Sequence, residues 1–250
     1  MRRIARLAAV GPGDHVVEVG AGVGSLTLAL AETGASVTAV EVDPRLVPAL
    51  RSVVEPAGVT VVEGDALRLD WAGLLGAEPG RWVLVANLPY NVATPLVARL
   101  LDEVPAIGRM LVMVQLEVGE RLAARAGDDA YGAVSVKVAY WGAAAVVGRV
   151  PPTVFWPEPK VESALVDIRR HGGGPAAPDV DRDWLFRLVA AGFGQRRKML
   201  RRSLAAVVGE GGEAGLADGF ACAGVRPDAR AEQLDLDAWA RLARCVPRPS

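Results

Sequence analysis

An α/β architecture, a mostly parallel sheet with an antiparallel edge followed by a small C-terminal helical domain, is what this 250-residue sequence predicts. Three observations carry that expectation. Short β-branched runs alternate with longer helical segments as far as about residue 170. Those runs are apolar almost without interruption, as in strands covered on both faces, and beyond them only helical spacing remains. Hydrophobic residues make up 51% and charged residues 23% of the chain, which excludes disorder and supports a sizeable core.

In order, the predicted parallel strands are VVEV (16–19), SVTAVEV (36–42), VTVVEG (59–64), WVLVAN (82–87) and RMLVMVQ (109–115). YGAVSVKVAYW (131–141) and SALVDIRR (163–170) read as strands of an antiparallel edge. HGGGPAAPD (171–179) has linker composition, so domains are expected over 1–172 and 180–250. DWLFRLVAAGF, RRKMLRRSLAAVV and LDAWARLARCV then show helical spacing, and GEGGEAG (209–215) reads as a flexible loop. The net charge of -1 gives no global basic field. No apolar stretch reaches bilayer length and no signal-peptide pattern appears, so a cytoplasmic chain without membrane contact is expected. The cysteines, Cys222 and Cys245, and histidines, His15 and His171, suggest neither a disulfide framework nor a zinc site, and no metal is expected.

VVEVGAGVGSLTLAL places Gly20, Gly22 and Gly24 between a strand and a helix, where a backbone turns tightly and lets a ligand come close. The spacing differs from the dinucleotide fingerprint, and the preceding acid, Glu18, suits a pyrophosphate badly. Glu41 closes the second strand, where a carboxylate can accept from both ribose hydroxyls. Asp65, with Ala66 after it, follows the third strand, positioned for an adenine amine. A glycine loop with acids after strands two and three is the constellation of an S-adenosylmethionine site.

Asn87, Leu88, Pro89 and Tyr90 fall at the carboxyl end of the fourth strand, where open α/β sheets bind ligands. The N6 amine of adenine is a poor nucleophile because its lone pair is delocalised into the ring. Two acceptors aimed at its hydrogens, the Asn87 side-chain oxygen and the Leu88 carbonyl, favour a pyramidal nitrogen whose lone pair meets an activated methyl group. Pro89 stiffens the turn, and Tyr90 offers an aromatic face to the base. Phe155, in the proline-dense VPPTVFWPEPKVES, is a candidate for the other face of that base. Arg196, Arg197, Lys198, Arg201 and Arg202 give five positive charges in seven residues, beside an apolar stripe of Phe193, Met199, Leu200 and Leu204. A cluster of that density in a near-neutral chain marks an RNA-contacting surface, which Lys137 and Lys160 could extend.

With these motifs in place, the sequence resembles the KsgA/RsmA/Dim family of small-subunit rRNA adenine-N6 dimethyltransferases. The resemblance continues through QLEVGERLAARAGDDAYGAVSV (115–136), VPPTVFWPEPKVESALV (150–166), FGQRRKMLRRSL (193–204) and GVRPDARAEQLDLDAWARL (224–242), in the family's order. It implies a Rossmann-like S-adenosylmethionine-dependent methyltransferase domain and a helical domain, with cofactor contacts at Gly20, Gly22, Glu41, Asp65, Ala66 and Asn87. The implied product is N6,N6-dimethyladenosine at two adjacent adenosines near the 3′ end of small-subunit rRNA, formed on immature small subunits by a monomer. Family members normally carry a basic Gly-Gln-Asn/His-Phe-Leu segment upstream of the first helix, whereas this sequence starts at Met1, inside that helix. Three other readings stay open: a macrolide-resistance relative acting on large-subunit rRNA, an assembly factor that binds RNA without turnover, and a dinucleotide oxidoreductase, which leaves the Asn-Leu-Pro-Tyr turn unexplained.

Overall fold

The structure, a computed structural model, describes residues 1–155, 158–208 and 213–248, without the side chains of Tyr90, Glu213 and Ala214. The chain divides into two compact units, Met1–Glu120 with Ala143–Arg170, and Arg121–Gly142 with His171 to the C-terminus.

The first unit begins with α1 (Arg2–Ala8), β1 (His15–Val19), α2 (Ser25–Ala31), β2 (Ser36–Glu41), α3 (Val47–Val54), β3 (Thr60–Glu63) and α4 (Trp71–Leu75). It continues with β4 (Trp82–Asn87), α5 (Tyr90–Glu103), β5 (Ile107–Gln115) and α6 (Leu116–Ala123), then β6 (Gly142–Val150) and β7 (Ser163–Arg170). The strands form one sheet in the order β3-β2-β1-β4-β5-β7-β6. β1 pairs in parallel with β2 and β4, β2 with β3 and β4 with β5, while β7 runs antiparallel to β5. Val16, Val17, Leu84, Val85, Leu111 and Val112 are at most 1% exposed, which is why these strands read as unbroken apolar runs.

Two arginines tie helices to this sheet. Arg170 donates to the carbonyls of Leu100, Leu101, Val104 and Ile107, capping the otherwise orphaned end of α5. Arg109 on β5 bonds Asp167 of β7 at 2.6 Å and donates to the carbonyls of Leu7 and Ala8 at the end of α1.

The second unit holds α7 (Ala133–Trp141), α8 (Arg182–Gly194), α9 (Leu200–Val208), α10 (Glu213–Ala223) and α11 (Leu236–Cys245). Its core gathers Val136, Tyr140, Leu185, Leu188, Leu200, Leu204, Phe220, Trp239 and Leu242. A Cβ on Gly192 would stand 2.6 Å from the Trp239 ring, so this glycine lets α8 approach α11. The Tyr131 hydroxyl donates to Leu234 O at 3.0 Å, and burial pushes its phenol well above the usual range.

Three expectations are corrected. Residues 133–141 form helix α7, not a strand, and the edge strand is the following 142–150. Val134, Ser135, Val136, Val138 and Tyr140 are all buried, so the run is apolar nearly all round and its periodicity cannot separate helix from strand. Gly132 and Ser135 start the helix, the Gly132 N–H donating to Ser135 Oγ at 3.0 Å. Cys222 and Cys245 form a disulfide, their Cα atoms 5.9 Å apart where α10 packs on the end of α11. Of the stretch 209–215 expected as a flexible loop, 213–215 belong to α10, which begins at Glu213, and 209–212 lie outside the described residues. Among the described residues no helix is long and apolar enough to cross a membrane, and no cluster of His, Cys, Asp or Glu could hold a metal ion.

Candidate active site and basic surface

Sheet order reverses between β1 and β4: the chain leaves β1 toward β2 and β4 toward β5. Open α/β sheets bind ligands beyond the carboxyl ends of the strands at such a point. Gly20, Gly22, Glu41, Asp65, Ala66 and the Asn87 turn all follow or close β1, β2, β3 and β4, so the fold brings them to one end of the sheet.

The glycines divide by role. Gly24 has φ +88°, and a Cβ there would lie 2.6 Å from Val54 Cγ1, so its bareness serves the packing of α2 on α3. Gly22 has φ +58° and open space where a Cβ would stand, which leaves its backbone exposed to a ligand. The Glu41 carboxylate, 6% exposed, holds the loop: Oε2 accepts from Gly22 N–H at 2.7 Å, and Oε1 from Val42 and Asp43 N–H, each at 2.9 Å. With Oε1 occupied twice, the spare acceptor capacity for a ribose hydroxyl is on Oε2.

Asp65 is exposed two residues past β3, its Oδ1 accepting from Leu67 N–H at 2.9 Å. Ala66 is buried beside it, and its carbonyl accepts the Trp71 indole N–H at 3.0 Å.

At the end of β4, Asn87 is exposed and its side chain has no hydrogen-bond partner among the described residues. The Leu88 side chain is buried and its N–H donates to Met113 O at 2.9 Å, which fixes the turn on β5. Pro89, at φ -65° and ψ 152°, precedes α5. The Tyr90 side chain expected to face the base lies outside the described residues, as do Trp156 and Pro157. Phe155 is half-buried, packs against the core that includes Met113 and Leu165, and with them lines an apolar cavity of about 230 Å³. Met113 links the two regions: it is the β5 register partner of Asn87, its carbonyl accepts from Leu88 N–H, and with Phe155 it lines the cavity.

Glu18, which sequence reasoning passed over as a mere neighbour of the loop, is a further candidate. It is 2% exposed, and its Oε2 has no partner among the described residues. Burial raises its pKa to about 7; the Thr27 hydroxyl, short of a well-formed hydrogen bond, opposes this, and the charge of Glu41 adds to it. An acid within a run otherwise buried on both faces was the available signal.

The basic cluster spans a turn and a helix start. Arg196, Arg197 and Lys198 lie between α8 and α9, and Arg201 and Arg202 in the first turn of α9. Of the expected apolar stripe, Leu200 and Leu204 are buried, Phe193 belongs to α8, and Met199 is 37% exposed. Arg196 is partly committed, donating to Glu232 Oε2 at 3.1 Å and to Asp129 O at 2.6 Å. The other four are exposed, without an ion pair among the described residues. Lys137 sits over the Phe186 ring at 4.5 Å, and Lys160 is exposed in the first unit.

Comparison with known proteins extends over the whole chain. A family model described as ribosomal RNA adenine dimethylase matches residues 1–246. A relative from Leifsonia xyli named ribosomal RNA small subunit methyltransferase A is 49% identical, covering 97% of this chain and 86% of that one. One of the same name from Thermobifida fusca is 48% identical, covering 99% and 85%. Among solved structures, a dimethyladenosine transferase from Plasmodium falciparum has a TM-score of 0.75 at 24% identity, covering 96% of this chain and 92% of its own. The 23S rRNA methyltransferase ErmE has a TM-score of 0.70 at 26% identity, covering 98% and 96%. With the family match spanning both units and the Asn-Leu-Pro-Tyr turn in place at the end of β4, this chain belongs to the ribosomal RNA adenine dimethylase family.

Proposed function

We propose that this chain transfers methyl groups from S-adenosylmethionine to N6 of two adjacent adenosines near the 3′ end of small-subunit rRNA, giving N6,N6-dimethyladenosine during ribosome biogenesis. The observation that carries the reading is the Asn87 turn. Its side-chain amide has no partner among the described residues, and its Leu88 N–H is fixed on β5 at the reversal point of the sheet.

Gly20 and Gly22 present backbone to the cofactor, Glu41 Oε2 accepts from its ribose, and Asp65 with Ala66 receives its adenine. The group they hold supplies a methyl on a sulfonium sulfur. Asn87 Oδ1 and the Leu88 carbonyl accept the two hydrogens of the target amine, so its lone pair points away from the ring as it attacks. After transfer the nitrogen is cationic and acidic, and its proton leaves to water without a strong base. Tyr90 and Phe155 hold the base between them.

Arg197, Lys198, Arg201 and Arg202, with Arg196 at their margin, contact rRNA phosphates, and the division of labour is methyltransfer over 1–172 and RNA binding over 180–250. Two arginines at the positive end of α9 repel one another and the helix dipole, a cost that a phosphate would relieve. We place the protein in the cytoplasm as a monomer acting on immature small subunits. Labelled methyl transfer to immature small subunits, compared with large-subunit rRNA, tests the reading. Methylation of the small-subunit substrate is expected; transfer to large-subunit rRNA alone would assign the chain to the macrolide-resistance branch, and transfer to neither would leave an assembly factor.

A further inference from the structure

The first helix brings a free cation to the ligand end of the sheet. Arg109, near the start of β5, holds the carbonyls of Leu7 and Ala8, while Arg3 and Ile4 line a cavity with Met113 near the end of that strand. Helix α1 therefore runs against β5. Arg3 is exposed, and its guanidinium has no hydrogen bond or ion pair among the described residues. A Cβ on Gly148 of β6 would stand 3.3 Å from Arg3 Nη2 and 3.6 Å from Leu165 Cδ1, so the bare glycine lets the guanidinium lie beside β7.

One row of residues joins this arginine to the Asn87 turn. Asn87 pairs in register with Met113, and Met113 with Leu165, beside which Gly148 lies. From β4 to β6 the row crosses three strand spacings, roughly 14 Å. Along it lies the cavity of about 230 Å³, walled by Ile4, Met113, Val154, Phe155 and Leu165, with Arg3 the one charged side chain among its described lining residues. Such a space suits a flat base attached to a phosphate: the walls take the base, and the fork of N–H donors takes the phosphate oxygens. Extruding a target adenosine toward Asn87 also unstacks its neighbour, and a base without a stacking partner gains by leaving water.

We infer that the cavity holds one of the two adjacent adenosines while the other lies at Asn87, and that Arg3 binds a phosphate beside it. Phe155 is then a wall that the two bases share. The inference rests on the function proposed above and deepens it, because methylation of one adenosine comes to depend on the base next to it.

Immature small subunits reconstituted with an abasic site at one adenosine of the pair, each in turn, test this with the full chain. In at least one arrangement, loss of the neighbouring base should lower kcat/KM for the remaining adenosine about tenfold. Val154 is 62% exposed at the cavity wall, so Val154→Trp should fold and fill the space. On intact subunits it should cost a similar factor; on the sensitive abasic substrate it should cost less than about twofold, since the base it displaces is already gone. Arg3→Gln should raise KM about fivefold, leave kcat within about twofold, and flatten the salt dependence of subunit binding by about 0.7. Undiminished methylation of both abasic substrates overturns the inference and leaves the proposed function standing. So do independent costs of Val154→Trp and the abasic site, or an unchanged salt slope in Arg3→Gln. No methylation of intact subunits by the unmodified chain removes function and inference together. Should a variant fail to fold, the abasic substrates on the unmodified chain decide the matter.

Discussion

Asn87 and Glu18 stand at the ends of adjacent strands and differ in burial, and their expected mutant behaviour differs accordingly. Asn87 is exposed and its side chain has no hydrogen-bond partner among the described residues, so Asn87→Ala should leave stability unchanged. Its acceptor matters chiefly as the amine pyramidalises, so single-turnover methylation with both ligands saturating should fall by roughly 10² or more. A rate within about threefold of wild type would take Asn87 out of the chemistry. Glu18 is the reverse case. Its folded-state pKa of about 7 lies above the model-compound value of 4.5, so the native state holds more protons than the unfolded state between those pH values. Stability of the ligand-free protein should therefore be fullest below that window, decline as pH rises through it, and level off above about 7. Glu18→Gln should remove that decline and stabilise the free protein at pH 8 by at most about 3 kcal/mol, read from urea unfolding across pH. A variant with unchanged pH dependence would mean that the carboxyl is hydrated.

Strands β1 to β5, and the placement of the candidate site residues at their ends, were legible because burial on both faces writes an unbroken apolar run and turn residues mark where it stops. Helix α7 was not, since burial of nearly every side chain erases the period that distinguishes helix from strand. The clamp roles of Arg109 and Arg170 were also invisible: their acceptors are backbone carbonyls far away in sequence, and a carbonyl has no letter. Arg170→Met should strand the carbonyls at the end of α5 and cost about 2–4 kcal/mol in urea unfolding. Arg170→Lys should recover only part of that, because one ammonium cannot reproduce the guanidinium fork. In the turn before α9, Arg196 already serves Glu232 and Asp129. Changing Arg197, Lys198, Arg201 and Arg202 to Gln should thus weaken RNA binding and flatten its salt dependence by about 0.7 to 0.9 per lost phosphate contact, with cofactor affinity unchanged. An unaltered slope in a folded variant would make the cluster a solvated face.

Near-neutral overall charge conceals how unevenly charge is arranged along this chain, and a similar concealment applies to its connectivity. The disulfide between Cys222 and Cys245 joins two helices of the same unit, so reduction should lower the thermal midpoint of that unit's unfolding while leaving the sheet's signal in place. Calorimetry with and without a thiol reductant checks this; identical traces would show that the bridge carries no stability. The path of the backbone matters more for anyone who would take the protein apart. It passes from the first unit to the second at residue 121, returns at 143 and leaves again after 170. A truncation starting at 180 would therefore begin life without α7, and Val136 and Tyr140 would be missing from a core built around them. The hole they leave would open onto Leu185, Leu188 and their neighbours, so such a fragment should be sticky and poorly folded even though its sequence looks self-sufficient. A single protease cut in the 171–179 stretch should likewise nick the chain without yielding an intact helical piece. During synthesis, α7 emerges before either of the helices it packs on, α8 first and α11 last.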